Sequence, residues 1–327
     1  MSASTVILVL SVDEAPLLQS CLPAALAQPD ARVVVIDNAC SDGTVALCAS
    51  LGVEAVATGE RLSYAAAMNV GLRAVGVDGA GEDRPSVVLL LNADCVIDDG
   101  FLAAALPRLA QPGIGSVAPK LIRATGPEVA DRLDVIDTVG MFVDRRRKNG
   151  LVGHGEPASR YAIGREVFGG DGACVLYRRE VLDRCAVDGE VFDEDMALWA
   201  SDVDLAWRAQ VLGWRAFYEP AAVGWHQRFY SPTTRKSVSE AHRRLQFRNR
   251  YLMMLKNDTA GSLLRDLPWV LGYEVLALGH VLLRERCLLG GYREAWELRG
   301  GARRRRGAVQ ARRVGERRIG FGVRAAA

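Results

Sequence analysis

The 327-residue sequence has no CxxC pair, no internal repeat, no signal-peptide pattern at its start and no long uninterrupted apolar run. Its seven cysteines, Cys21, Cys40, Cys48, Cys95, Cys174, Cys185 and Cys287, are odd in number and scattered, which supports neither a disulfide framework nor a zinc site. The first ten residues lack a basic segment followed by an apolar stretch and a cleavage site, so the chain is expected to stay in the cytoplasm. Residues 267–289 are the most apolar part of the tail, but Glu274, His280, Arg284, Glu285 and Arg286 interrupt them. A bilayer core needs about 20 consecutive apolar residues, so an amphipathic helix lying in an interface or packed on the body is expected rather than a spanning one. Neither a nucleic-acid-binding motif nor interleaved aromatics accompany the basic residues, so no nucleic-acid partner is expected.

What is present describes a globular chain. Half the residues are hydrophobic and 24% are charged, enough to bury a sizeable core. The net charge of +2 hides a division: residues 256–327 hold 15 Lys/Arg against 7 Asp/Glu, and residues 1–255 hold 26 against 32. The basic tail, with Arg303, Arg304, Arg305 and Arg306, is suited to the anionic inner face of a membrane, although a solvated charged face is the commoner meaning of such a run.

Through the first 120 residues, apolar β-rich runs at 5–11, 32–36, 53–56 and 86–91 alternate with helical patterns at 14–27, 44–51 and 64–75. That alternation predicts βαβ units around a mostly parallel sheet. After Lys120 a polar stretch to about Val167 predicts hairpins or loops around an acceptor site. Beyond it we expect a strand over 168–177, short helices over 178–185 and 194–199, and a better-defined helix over 202–212 ending at Gly213. Two strands, 214–218 and 221–225, flank Pro220, and an Arg-rich helix covers 238–255. The chain thus divides into a main domain, 1–255, whose pattern changes at about residue 120, and a basic helical extension, 256–327.

Four places carry candidate chemistry. Val33-Val34-Val35-Ile36-Asp37-Asn38 is a buried strand ending in a carboxylate and an amide, before the turn Ser41-Asp42-Gly43. In open α/β sheets ligands bind beyond the carboxyl ends of strands, and Asp37 there can accept a hydrogen bond from a base or ribose; Asp and Asn are also ordinary turn formers. Leu89-Leu90-Leu91-Asn92-Ala93-Asp94 ends the same way, and alternation sends Asn92 and Asp94 to one side. Asp94 is placed to anchor Mg²⁺ or Mn²⁺, which take oxygen ligands from one or two carboxylates plus phosphates. The run from Phe192 to Arg208 sets carboxylates before and inside a helix start: Ser201 with Asp204 reads as a capping box, Asp204 with Arg208 as an i,i+4 ion pair, and Asp202 as a side chain free to serve as general base. His226 ends an apolar strand, usually a structural position, and becomes a metal ligand only in combination with Asp94.

In this order and spacing the segments resemble the family 2 glycosyltransferases of GT-A fold, particularly the bacterial rhamnosyltransferase-like branch. The resemblance covers about residues 5–256, through the motif at 35–43, Asn69-Val70-Gly71-Leu72, Leu91-Asn92-Ala93-Asp94, Gly169-Gly170-Asp171-Gly172-Ala173 and Asp202 to Ala209. It implies an inverting enzyme that moves a sugar, rhamnose first, from a nucleoside diphosphate to a polyprenyl-linked or cell-envelope glycan. It implies that Ser11, Asp13, Glu14, Asp37, Asn69 and Asn92 meet the donor, that Asp94 and His226 hold a divalent metal, and that Asp202 is the base. Asn92 replaces the first Asp of the DxD-type motif. Ser201 stands where relatives usually carry Glu, and Arg61, Ser63 and Ala67 replace an Asn and two glycines of the donor loop. Those departures motivate a competing reading, a non-catalytic nucleotide-sugar-binding or scaffold subunit. A nucleotidyltransferase is disfavoured, because Ser11-Val12-Asp13-Glu14 stands where its Gly-rich, basic phosphate loop belongs.

Overall fold

In the computed structural model, which describes residues 5–77, 79, 84–228, 238–315 and 319–321, the early apolar runs become a parallel sheet. β1 (Thr5–Ser11), β2 (Ala31–Asp37), β3 (Glu54–Ala57) and β4 (Val87–Asn92) lie in the order β3-β2-β1-β4, all parallel. Successive side chains of a strand point to opposite faces, and here both faces are covered. Ile7, Val9, Val35 and Leu89 pack with α1 (Ala15–Leu26) and α2 (Thr44–Ser50) on one side; Leu8, Val34, Ile36 and Leu90 pack with α3 (Tyr64–Ala74) on the other. Burial on both faces is why β1, β2 and β4 lack polar alternation, whereas the edge strand β3 is largely exposed.

β5 (Cys95–Ile97) and α4 (Phe101–Leu109) lead to β6 (Ile114–Ala124), a strand that runs on past Lys120 into the segment expected to be loops. Hairpins do follow. β7 (Arg132–Thr138) returns antiparallel on β6, and β8 (Met141–Val143) pairs with β9 (Asn149–Leu151) as a separate ribbon. After β10 (Arg165–Val167) comes β11 (Cys174–Arg178), which lies antiparallel between β4 and β6 and joins the two halves of the sheet. It is shorter than the strand expected over 168–177, because Gly169 bridges to Met141 instead and the chain turns at Gly172 and Ala173, beside α6 (Ser201–Val211). A Cβ on Gly169 would sit 2.3 Å from Ala206 Cβ, so α6 packs directly on that backbone.

α5 (Arg179–Cys185) precedes α6, and the helix expected over 194–199 is a single 3₁₀ turn, Glu194–Met196. The two strands expected around Pro220 are one, β12 (Arg215–His226), parallel to β6; its register slips between Glu219 and Val223, which accommodates the proline. At the end come α7 (Glu240–Asn257), α8 (Ala260–Leu283), α9 (Leu289–Glu297) and α10 (Arg299–Ala311). α8 is long and apolar enough, by length and composition, to cross a membrane; Arg284, Glu285 and Arg286 lie beyond its end. The Gly/Asp-rich loop after α3 falls partly outside the described residues, as do 316–318 and 322–327 of the basic tail.

Buried ion pairs fasten this end to α6 and to the segment before it. Lys256 reaches Asp193 and, at 3.0 Å, Asp204, which also pairs with Arg208 at 3.1 Å. Arg305 pairs with Glu190 and, at 3.1 Å, with Asp193, while Arg306 donates to the carbonyls of Leu255 and Asp258. Two members of the Arg303–Arg306 run therefore face inward, which corrects the expectation of an open basic patch there.

Candidate active site

The carboxyl ends of three adjacent strands form one rim: Ser11 is level with Asp37, and Leu10 with Asn92. The turns beyond them are bonded to one another. Asp42 accepts from the N–H of Ala15 (2.8 Å) and of Thr44 (2.9 Å), capping α1 and α2 together. Asp37 accepts from the N–H of Cys40 (2.8 Å), and Ser11 Oγ lies 3.1 Å from Thr44 Oγ1. Asp13 accepts from the Ser41 N–H (2.6 Å) and pairs with Arg61, which also donates to the Ala39 carbonyl. Asn38 exchanges hydrogen bonds with the Leu62 backbone, and Ser63 caps α3 by accepting from Ala66 N–H. The residues that depart from the donor-loop pattern thus have local structural duties.

Asn69 is not on this rim. It is buried, donates to the Phe192 carbonyl (2.8 Å) and to Glu194 Oε1 (3.0 Å), and accepts from the Phe192 N–H (2.9 Å). These three bonds hold the 192–194 segment.

Asp94, between β4 and β5, faces His226 at the end of β12, with Oδ1 3.1 Å from Nε2. The imidazole is the ion-pair partner of Asp94 Oδ1, and among the described residues no other donor reaches that oxygen. The other ring nitrogen, Nδ1, lies 2.9 Å from Asp137 Oδ2, which fixes the imidazole's orientation. Cys95 Sγ lies within 4.8 Å of the two ligand atoms, but burial raises its thiol pKa and keeps it protonated. A carboxylate oxygen facing an oriented imidazole nitrogen, with both ligand atoms turned to one point, fits a divalent cation. Glu14 stands nearby: burial first, then the Asp94 charge, push its pKa up to about 7.

From His226 a polar chain runs to the expected base. Arg228 donates to Asp137 (2.8 Å) and to Asp171 (2.8 Å). Asp171 accepts from the Ala173 N–H (2.8 Å), the Ala173 carbonyl accepts from the Asn92 N–H (2.8 Å), and the Gly172 N–H donates to Asp202 Oδ2 (3.1 Å). The segment 171–173 therefore bridges the β4 tip and the start of α6. Burial, followed by the Asp171 charge, raises the Asp202 pKa to about 6 against hydrogen bonds from Gly172 and Val203 that lower it. That value suits proton abstraction near neutral pH.

The start of α6 differs from expectation. Its N-cap is Ala200 in a left-handed conformation, with no side-chain cap, so the Ser201/Asp204 capping box does not form; the Asp204–Arg208 pair does. Ala197, Trp199 and Ala200 all have positive φ, strain that clusters at functional sites. Asn249 on α7 holds this turn by donating to the carbonyls of Met196, Leu198 and Trp199. Sequence reasoning missed Asp137, Asp171, Arg228 and Asn249. Two of them left a signal: Val135-Ile136-Asp137 repeats the pattern of Val35-Ile36-Asp37, and Asp171 stands inside the Gly169-Gly170-Asp171-Gly172-Ala173 motif.

A family model described as Glycosyltransferase like family 2 matches residues 3–251. The chain is 26% identical over 272 residues to an N-acetylglucosaminyl-diphospho-decaprenol L-rhamnosyltransferase of Mycobacterium tuberculosis, covering 77% of this chain and 83% of that one. It is similar in structure to the mannosyltransferase PcManGT from Pyrobaculum calidifontis in complex with GDP-Man and Mn²⁺, at TM-score 0.53 and 20% identity over 94% of this chain and 85% of that one. It is also similar to GalNAc-T7 with UDP, GalNAc and Mn²⁺, at TM-score 0.59 and 11% identity over 78% of this chain, which spans about half (48%) of that protein. These two likenesses concern the fold.

Proposed function

The chain belongs to the family 2 glycosyltransferases, and from that premise we propose that it transfers a sugar from a nucleoside diphosphate to a hydroxyl of a lipid-linked glycan, with inversion. The observation that carries this reading is the continuous polar chain from Asp94 and His226 through Asp137, Arg228 and Asp171 to the 171–173 backbone and Asp202.

Asp202 takes the proton from the acceptor hydroxyl as that oxygen bonds to the anomeric carbon and the bond to the diphosphate breaks. One base and no carboxylate nucleophile motivate a single in-line displacement. Asp94 and His226 hold the divalent cation, Mg²⁺ or Mn²⁺, and when bound it supplies Lewis-acid relief of charge on the departing diphosphate. Asp137 orients His226. Ser11, Asp13, Glu14, Asp37 and Asn92 form the donor rim. In this reading residues 1–120 hold the nucleotide, 121–255 hold the acceptor, and 256–327 form an appended helical piece at the inner face of the membrane.

Deoxythymidine diphosphate rhamnose is the first donor to try, with uridine diphosphate sugars next; the rhamnosyl and decaprenol terms in the Mycobacterium tuberculosis relative's name support that order. The full chain is incubated with Mn²⁺ and a panel of nucleotide sugars, with no acceptor. Release of free sugar from one donor is expected. No release from any donor, together with donor-induced thermal stabilisation, would favour the non-catalytic binding subunit instead. Proton NMR of the transfer product checks inversion.

A further inference from the structure

α8 is inside out for a helix on a water-facing surface. Its acidic residues turn toward protein: Asp266 is buried and receives Arg145 Nε (2.8 Å) and Arg147 Nη1 (2.9 Å), and Glu274 receives Arg250 Nη1 (2.6 Å) and Tyr251 Oη (2.7 Å). These partners fix the rotation of the helix. The outward side carries Leu264, Leu271, Val275, Leu276, Leu278 and Leu282, with Val275 and Leu276 each 73% exposed. Eight of the eighteen large hydrophobic residues exposed among the described residues sit on this one helix, so the patch is concentrated rather than scattered. Contiguous apolar surface of this kind marks a docking face.

Cations stand at both ends of the strip. At its start a cavity of ≈ 510 Å³ is lined by Arg145, Arg146, Lys148 and Trp269, together with Asp144, which accepts from Arg146 (2.9 Å) and leaves the lining with a net positive charge; none of these is among the candidate catalytic residues. The Arg145 guanidinium stacks 3.4 Å from the Trp269 ring, placing an indole on the border between charge and hydrocarbon. Arg284 and Arg286 lie exposed beyond the other end. A second copy laid antiparallel along α8 would set these cations against one another, whereas a leaflet of anionic phospholipid offers acyl chain to the strip and phosphate to both ends.

We propose that this face docks on an anionic phospholipid leaflet, with α8 lying in the membrane plane. The proposal deepens the reading of a lipid-linked acceptor and rests on it for its purpose: the surface would hold the enzyme where such an acceptor resides. It also moves the membrane contact away from Arg305 and Arg306, which are engaged within the protein.

Cosedimentation of the full chain with phosphatidylcholine vesicles, with and without phosphatidylglycerol, tests it. Binding to the anionic vesicles that weakens with added salt is expected. The double variant Val275→Glu/Leu276→Glu should bind at least about tenfold more weakly. Arg146→Glu/Lys148→Glu should lose about fivefold or more per charge removed. Both variants should keep the wild-type circular dichroism spectrum and donor hydrolysis. No binding to anionic vesicles, variants that bind like the wild type, or a solution dimer that Val275→Glu/Leu276→Glu splits would each overturn the proposal. Failed binding with hydrolysis intact sinks this surface alone; intact binding with no hydrolysis sinks the transferase reading alone.

Discussion

Around the tips of β1 and β2 the polar side chains are held by turns close at hand: Asp42 caps two neighbouring helices, and Asp37 bonds to Cys40 three residues on. Across the sheet the polar residues meet over long separations, as Asp137 does with Arg228. The first region ties adjoining turns to one another, as Asp13 ties to Ser41 and Arg61, so a substitution there should disturb those turns and go no further. The second is a shared network in which each group orients the next, and a substitution should propagate.

The sharpest contrast comes from Asp94→Asn, where the two regions meet. Loss of the metal carboxylate should remove several kcal/mol of transition-state stabilisation, about a thousandfold or more in turnover, while the fold persists. Steady-state kinetics with added Mn²⁺ checks this, and near-normal turnover would detach Asp94 from the chemistry.

Next in size is Lys256→Met, which leaves Asp193 and Asp204 buried without their shared cation. Leaving a buried charge uncompensated costs about 3–5 kcal/mol, and because Arg208 and Arg305 stay beside the two carboxylates the loss should fall toward the low end, about 3 kcal/mol. Urea unfolding should show the loss, and an unchanged midpoint would separate the C-terminal helices from the stability of α6.

Asp137→Ala removes the orienting partner of His226, and Mn²⁺ affinity measured by titration calorimetry should fall about 10–100-fold. Equal affinity in the variant would mean that the second region is not a network in the sense argued. The smallest effect is expected in the first region: Ser63→Ala should cost about 1 kcal/mol of stability through its lost cap and leave Mn²⁺ affinity alone.

The comparison also explains what was readable in advance. β1, β2 and β4 are buried on both faces, so their apolar runs stand out and end visibly at Asp37 and Asp94. Asp137 ends a similar run, but β7 is a strand with exposed neighbours such as Leu133 and Asp134, so the pattern was masked by polar residues. Arg228 resembles any other of the 41 Lys/Arg until the sheet brings Asp137 and Asp171 to it. The duty of Asn69 within the fold was hidden as well, because nothing in its motif announces the three bonds it makes to 192–194. The outward face of α8 was hidden too, because the spacing of apolar and charged residues reveals two sides of a helix without saying which one the protein covers.

The central claim, that Asp202 is the base, is tested most directly by the pH dependence of kcat/KM for the wild type and for Asp202→Asn, with donor affinity measured alongside. A base must be ionised to accept a proton, so wild-type activity should fall as pH drops through about 6, where burial and the Asp171 charge set the Asp202 pKa. The Asn variant should be about 10²–10⁴-fold slower, bind donor as before and lack that acid limb. Wild-type turnover in the variant, or the same acid limb in both proteins, would contradict the account.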